Sequence, residues 1–149
     1  MEPRYVDQDE FAVAGVVARA APGRHDYQAL WARFDAGGQA VRAAATRPVY
    51  YGVHLPCEDP ERVDYLAGMA VPAGTAVAGM ETRAVPAGRY AVFTGTIATI
   101  GQIYAHVYGG WTAPAGWAID PTRPDLEVYG GAGPEGAVEI YIPLKAVSH

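Results

Sequence analysis

The pattern of apolar and polar positions changes period several times along the chain. "RYV" (4–6) and "FAVAGVVARA" (11–20) read as one extended segment broken by "DQDE". From about Asp26 to Val41 the period is helical. Tyr27, Leu30, Trp31 and Phe34 fall at i, i+3, i+4 and i+7, which makes one apolar stripe. Asp26 suits the N-cap, and Gly37-Gly38 weakens or ends the helix. Two further extended runs follow, "PVYYGVHLP" (48–56) and "VDYLAGMAV" (63–71), joined by the turn-rich "CEDPER".

The same order then repeats. "METRAV" (80–85) and "RYAVFTGT" (89–96) form a second extended segment, broken by "PAG". A helix is predicted from about Ala98 to Tyr108, with Ile100, Ile103, Tyr104, Val107, Tyr108 and Trp111 at helical spacing. Extended runs at 125–131 and 137–147 close the unit, joined by "AGPEG". "GGAG" (130–133) suits a hairpin turn rather than a phosphate cradle, because no helix follows it. The expected fold is therefore α+β: one domain over 1–149, built from two pseudo-symmetric β-α-β-β repeats at about 4–71 and 80–147. The sheet is mainly antiparallel, and two helices flank a cleft. Joining the units removes exposed sheet edge, and the cleft between them is a natural ligand site.

Within this frame "PDLEVYGG" (124–131) sets an acid in an apolar strand. Alternation puts Glu127 and Tyr129 on one face, with Leu126 and Val128 on the other. Either that face looks at water or it buries an acid. Glu139 and Glu81 are the competing acids. Glu139 shares a face with Tyr141, and Glu81 is expected at the surface. Trp31 and Phe34 fit a core stripe. Tyr104, Tyr108 and Trp111 share a helix face that serves either core or groove, and Trp117 lies in a loop suited to a groove lid.

Composition narrows the function. Tyrosines outnumber phenylalanines ten to three. A core needs no hydroxyls, whereas a half-wet aromatic pocket uses them. Net charge is −5 and the 11 basic residues are scattered, so no patch suits a phosphate backbone and no direct nucleic-acid contact is expected. No apolar run is long enough to span a membrane. The acidic start "MEPRYVDQDEF" lacks a signal peptide's pattern, so a cytoplasmic protein is expected. Cys57 reads as an ordinary free thiol. His25, His54, His106 and His149 show no ligand spacing, so no metal and no cofactor are expected.

The ordered segments "LW..F", "YYGVH", "VDYLAGMAV", "VPAGRYAVF", "DLEVYGG" and "VEIYIPLK" resemble the GyrI-like effector-binding domain. That family comprises the ligand-sensing domain of multidrug-responsive transcription activators and also free-standing bacterial proteins. The resemblance implies a concave aromatic groove with a glutamate on its floor, at Glu127. It implies groove aromatics at Tyr65 and Tyr141, and also at Tyr51 and Tyr104; Tyr108 and Trp117 complete the expected ligand set. No helix-turn-helix precedes the domain here, so a free-standing form is expected, as a monomer or weak dimer.

The implied function is binding of hydrophobic, aromatic, cationic small molecules. Burying a carboxylate alone is costly, and a cationic ligand relieves that cost. Tyrosine faces add about 1–2 kcal/mol for each desolvated cation–π contact. Two other roles are implied by parts of the family. One is hydrolysis of electrophilic aromatic drugs such as cyclopropane-bearing genotoxins, with Glu127 as the acting carboxylate. The other is a gyrase-protecting interaction, or service to a separate transcription partner.

Overall fold

The computed structural model describes residues 2–130 and 136–147. The first half contains β1 (Arg4–Gln8), β2 (Phe11–Ala20), α1 (Tyr27–Gly37), α2 (Gln39–Ala44), β3 (Tyr50–Pro56) and β4 (Val63–Val71). The second contains β5 (Glu81–Val85), β6 (Gly88–Thr96), a 3-10 turn (Ile97–Thr99), α3 (Ile100–Gly109), β7 (Trp117–Ile119), β8 (Asp125–Tyr129) and β9 (Ala137–Ala146). The "GGAG" and "AGPEG" turns lie largely outside the described residues.

The strands form one nine-stranded antiparallel sheet in the order β1-β6-β9-β8-β3-β4-β2-β5, with β7 also on β9. That order reads the same from either end once the halves are exchanged, and the registers repeat with it. Phe11 pairs with Val85 as Gly88 pairs with Gln8. Gly52 pairs with Ala67 as Glu127 pairs with Ile140. A pseudo-two-fold axis therefore passes between β3 and β8, where Gly52 faces Glu127. The expected broken strands are each two separate strands with different neighbours: β1 crosses to β6 of the other half, and β5 crosses to β2. Each half thus covers the other's edge.

The helices follow from local chemistry. The Asp26 carboxylate accepts the Ala29 N–H at 3.0 Å and caps α1. Leu30 and Phe34 are buried against β2 and β4, each contributing about 1.5–3 kcal/mol by burial. The helical segment is interrupted where Gly37-Gly38 is expected to weaken or end it, at Gly38. Its N–H bonds the Phe34 carbonyl at 2.7 Å, and a Cβ there would press on the Phe34 carbonyl and ring. The chain then restarts as α2. Thr96 and Thr99 cap the 3-10 turn leading into α3. Ile103 and Val107 of α3 bury against Phe93, Ile140 and Ile142.

Among the described residues the opposite sheet face carries no helix, yet Val13, Val53, Val85 and Tyr90 there are fully buried in one cluster. In a flat sheet β2 and β6 would stand about 24 Å apart. The sheet therefore curls so that this face buries itself, which leaves the helical face open between α1 and α3.

Candidate functional site: a cavity on the pseudo-two-fold axis

Between α1 and α3 lies a cavity of about 910 Å³. Its floor is the central strand pair. Alternation directs Tyr50 and His54 of β3 and Asp125, Glu127 and Tyr129 of β8 into it, and Tyr65 enters from β4. Tyr27 and Trp31 come from α1, and Ile100, Tyr104 and Tyr108 from α3. Tyr108 and Ile97 are exposed at the rim.

Glu127 is only 5% exposed. Its Oε1 accepts hydroxyl hydrogens from Tyr65 at 2.9 Å and from Tyr129 at 2.7 Å, and its Oε2 accepts one from Tyr104 at 3.0 Å. These bonds come from three elements, and each is stronger than a neutral pair. They answer the burial problem raised by "PDLEVYGG" with hydroxyls rather than a cation. Trp31 extends the chain, donating its indole N–H to the Tyr65 oxygen at 3.2 Å. Burial, and then the Glu127 charge, push the Tyr65 and Tyr129 phenols far above their usual 10. Burial likewise raises Tyr104, with Asp125 and Glu127 adding to it. All three hydroxyls stay protonated and so remain donors.

Tyr65 reaches Glu127 across β3, and only glycine permits this. A Cβ on Gly52 would overlap the Tyr65 hydroxyl and stand 2.7 Å from Glu127 Oε1.

A second polar group sits beside the first. His54 Nδ1 is 3.5 Å from Asp125 Oδ2, an ion-pair distance longer than a good hydrogen bond. Its Nε2 is 3.4 Å from the Tyr27 hydroxyl. Burial opposes charge on this imidazole, but Asp125, with Glu127 behind it, outweighs burial and holds it above the usual 6.5. Among the described residues lining the cavity there is no lysine or arginine. Asp35 at the rim pairs with Arg42 at 3.2 Å. No group of three or more His, Cys, Asp or Glu among the described residues is placed to hold a metal ion.

Of the expected ligand set, Glu127, Tyr65, Tyr104 and Tyr108 meet in the cavity. Three others do not. Tyr51 points to the helix-free face, where its ring packs 5.4 Å from Phe11 and its hydroxyl accepts from Arg47 at 2.9 Å. Tyr141 lies on that face too, edge-on to Tyr90 at 5.7 Å. It pairs with Leu126, so strand alternation separates it from Glu127. Trp117 belongs to β7 under the Arg89 guanidinium, 4.6 Å away, and is no lid. Trp31, expected in the core, is a cavity wall, whereas Phe34 is core and Trp111 packs on Phe93. Glu139 pairs with Arg4, and Glu81 with Arg83. Tyr27, Tyr50, His54, Asp125 and Tyr129 were not in the expected set. Tyr129 had a visible signal in sharing the Glu127 face.

Solved structures share this architecture. An integron cassette protein from the mobile metagenome of Vibrio cholerae matches with a TM-score of 0.73 and 19% identity, over 97% of this chain and 96% of the other. SAV2435, solved bound to tetraphenylphosphonium, matches with a TM-score of 0.74 and 17% identity over 97% and 94%. The C-terminal domain of EcmrR matches with a TM-score of 0.63 and 18% identity, over 98% of each chain. At these identities the likeness is one of fold. No curated protein matches the sequence. The sequence matches the model of the GyrI-like small molecule binding domain over residues 1–145, and with that match the chain belongs to the GyrI-like family of small-molecule binding domains.

Proposed function

We propose that the protein binds hydrophobic aromatic cations in the α1–α3 cavity. Glu127 is the charge partner, and Tyr65, Tyr104, Tyr108, Tyr129 and Trp31 are the aromatic walls. The observation that carries this reading is a buried carboxylate whose described partners are all tyrosine hydroxyls. Hydroxyls satisfy its lone pairs but bring no countercharge. Cation–π attraction from the walls favours the same ligands. A cavity of this volume suits a drug-sized molecule.

Binding is better supported than hydrolysis. Oε1 already accepts two hydroxyls and Oε2 one, which leaves little of the carboxylate free to hold an attacking water.

Tetraphenylphosphonium and tetraphenylborate test the reading, because they share an outline and differ in the sign of charge. The cation is expected to bind and the anion not. Glu127→Gln is expected to weaken the cation by roughly 1.5–3 kcal/mol, the scale of a hydrogen-bonded charge. Equal affinity for both ions, or no loss in Glu127→Gln, would refute the reading. Recovery of the ligand chemically unchanged after prolonged incubation separates binding from turnover.

A further inference from the structure

One cluster on the cavity floor is not used by the cation site as described. His54 has a side chain only 15% exposed, with Asp125 at 3.5 Å from Nδ1 and the Tyr27 hydroxyl at 3.4 Å from Nε2. A carboxylate can only accept, whereas a phenol can donate or accept. The same surroundings therefore serve a neutral imidazole, which accepts from Tyr27, and an imidazolium, which donates to it. On the Nε2 side the proton can come and go without loss of the Tyr27 partner, while Nδ1, which has no hydrogen-bond partner among the described residues, faces the Asp125 carboxylate at ion-pair distance.

The groups facing the ring come from four elements. Strand β8 supplies Asp125 and Glu127, and α1 supplies Tyr27. Tyr65 of β4 stands edge-on at 4.9 Å and Tyr104 of α3 at 5.9 Å. His25 lies behind Tyr27 and Tyr65, its Nε2 within 3.0 Å of the Ala18 and Val63 carbonyls. No lysine or arginine among the described residues lines the cavity.

We propose that His54 selects for cationic ligands according to pH, by setting the charge on the cavity floor, with Asp125 as its positioning residue. This rests on the cavity being a cation site. With His54 neutral, the floor presents two carboxylates and no positive charge. With His54 protonated, one carboxylate is compensated and an incoming cation is repelled. The Asp125 and Glu127 carboxylates hold the imidazole above its usual 6.5 against the opposing effect of burial, so the exchange lies at higher pH than for a free imidazole. A bound cation disfavours the imidazolium, so binding lowers the His54 pKa and expels a proton. Linkage then makes affinity rise with pH through the interval between the bound and free values, and level off above the free one.

Calorimetric titration with tetraphenylphosphonium, from about pH 5.5 to about pH 8.5 in two buffers of different ionisation enthalpy, tests this. Affinity is expected to rise about tenfold across the range, one pKa unit of coupling, with proton release at the midpoint. His54→Gln is expected to flatten the profile, and Asp125→Asn to move its midpoint to lower pH. A flat wild-type profile, or one that persists in His54→Gln, overturns the proposal while leaving the cation site standing. No binding at any pH overturns both. Should the variants misfold, an NMR titration of the wild-type imidazole decides. The His54 pKa must fall when the cation is added, and an unchanged value overturns the proposal.

Discussion

Gly52 and Glu127 are ladder partners on the central strand pair and occupy equivalent positions in the two halves of the chain. One side of the axis carries the acid; the other carries the residue that leaves room for it. The Tyr65 hydroxyl lies in the space a Cβ of residue 52 would fill.

Gly52→Ala is therefore expected to displace Tyr65 and break its bond to Glu127. Overpacking a filled site costs about 1–3 kcal/mol, which urea denaturation will read. Cation affinity should fall with it. A variant as stable as the parent and equally good at binding would show that the crossing of β3 by Tyr65 is dispensable.

The three phenols around Glu127 are not equivalent. Tyr65→Phe removes a donor to Oε1 and also the acceptor of the Trp31 indole. Tyr104→Phe removes a single donor to Oε2. A lost hydrogen bond to a charged group costs about 1.5–3 kcal/mol, and stranding the indole adds about 1 kcal/mol. The Tyr65 variant should thus be the less stable of the two. The reverse order in chemical denaturation would contradict the network.

Intrinsic fluorescence separates the tryptophans. Trp31 lines the cavity, whereas Trp111 packs on Phe93 and Trp117 sits under Arg89. Binding of an aromatic cation should quench emission in the parent and in Trp117→Phe, and should quench little in Trp31→Phe. Quenching that survives loss of Trp31 would place the ligand elsewhere.

Acid sensitivity should centre on Asp64 of β4. Its side chain is 4% exposed and meets Arg19 at 2.7 Å and Arg83 at 3.3 Å. The Arg19 hydrogen bond outweighs burial, and with help from Arg83 it holds the carboxyl below its usual 3.8. A depressed folded value means the contribution is full above the unfolded value and is lost as pH falls through the folded one. Asp64→Asn should cost about 2–3 kcal/mol at neutral pH, less than a fully buried pair because both guanidiniums are about a third exposed. It should also remove the steepest part of the stability loss on acidification. An unchanged acid profile would assign that loss to other carboxylates.

Much of this was legible in the chain. The order of elements followed from period changes, and the placing of Glu127 and Tyr129 on one face followed from strand alternation. What failed was parity between strands. "VYYG" offers adjacent tyrosines, one of which must face each way. Family likeness favoured Tyr51, but register with β8 puts Tyr50 and His54 beside the acid. Tyr141 was misplaced for the same reason, since a single strand's pattern does not reveal its offset from a neighbour. Trp31 met a different limit: helical spacing marks the inward face but not whether a core or a cavity lies beneath it. For His54 the sequence offers only the lack of metal-ligand spacing. The His54 partnership with Asp125 spans about 70 residues of sequence and exists only once β3 and β8 pair.

The exchanged edge strands and the axis through the floor bear on what a single chain can encode that two identical copies cannot. In a homodimer with this geometry, residues facing each other across the axis must be the same residue. An acid there would confront its own copy on the adjacent strand, about 4.5–5.5 Å away between Cα atoms, with like charges opposed. A glycine there would leave no acid at all. Carrying both halves on one polypeptide frees the two positions to differ, so that a symmetric scaffold holds a carboxylate on its axis with no copy of itself opposite.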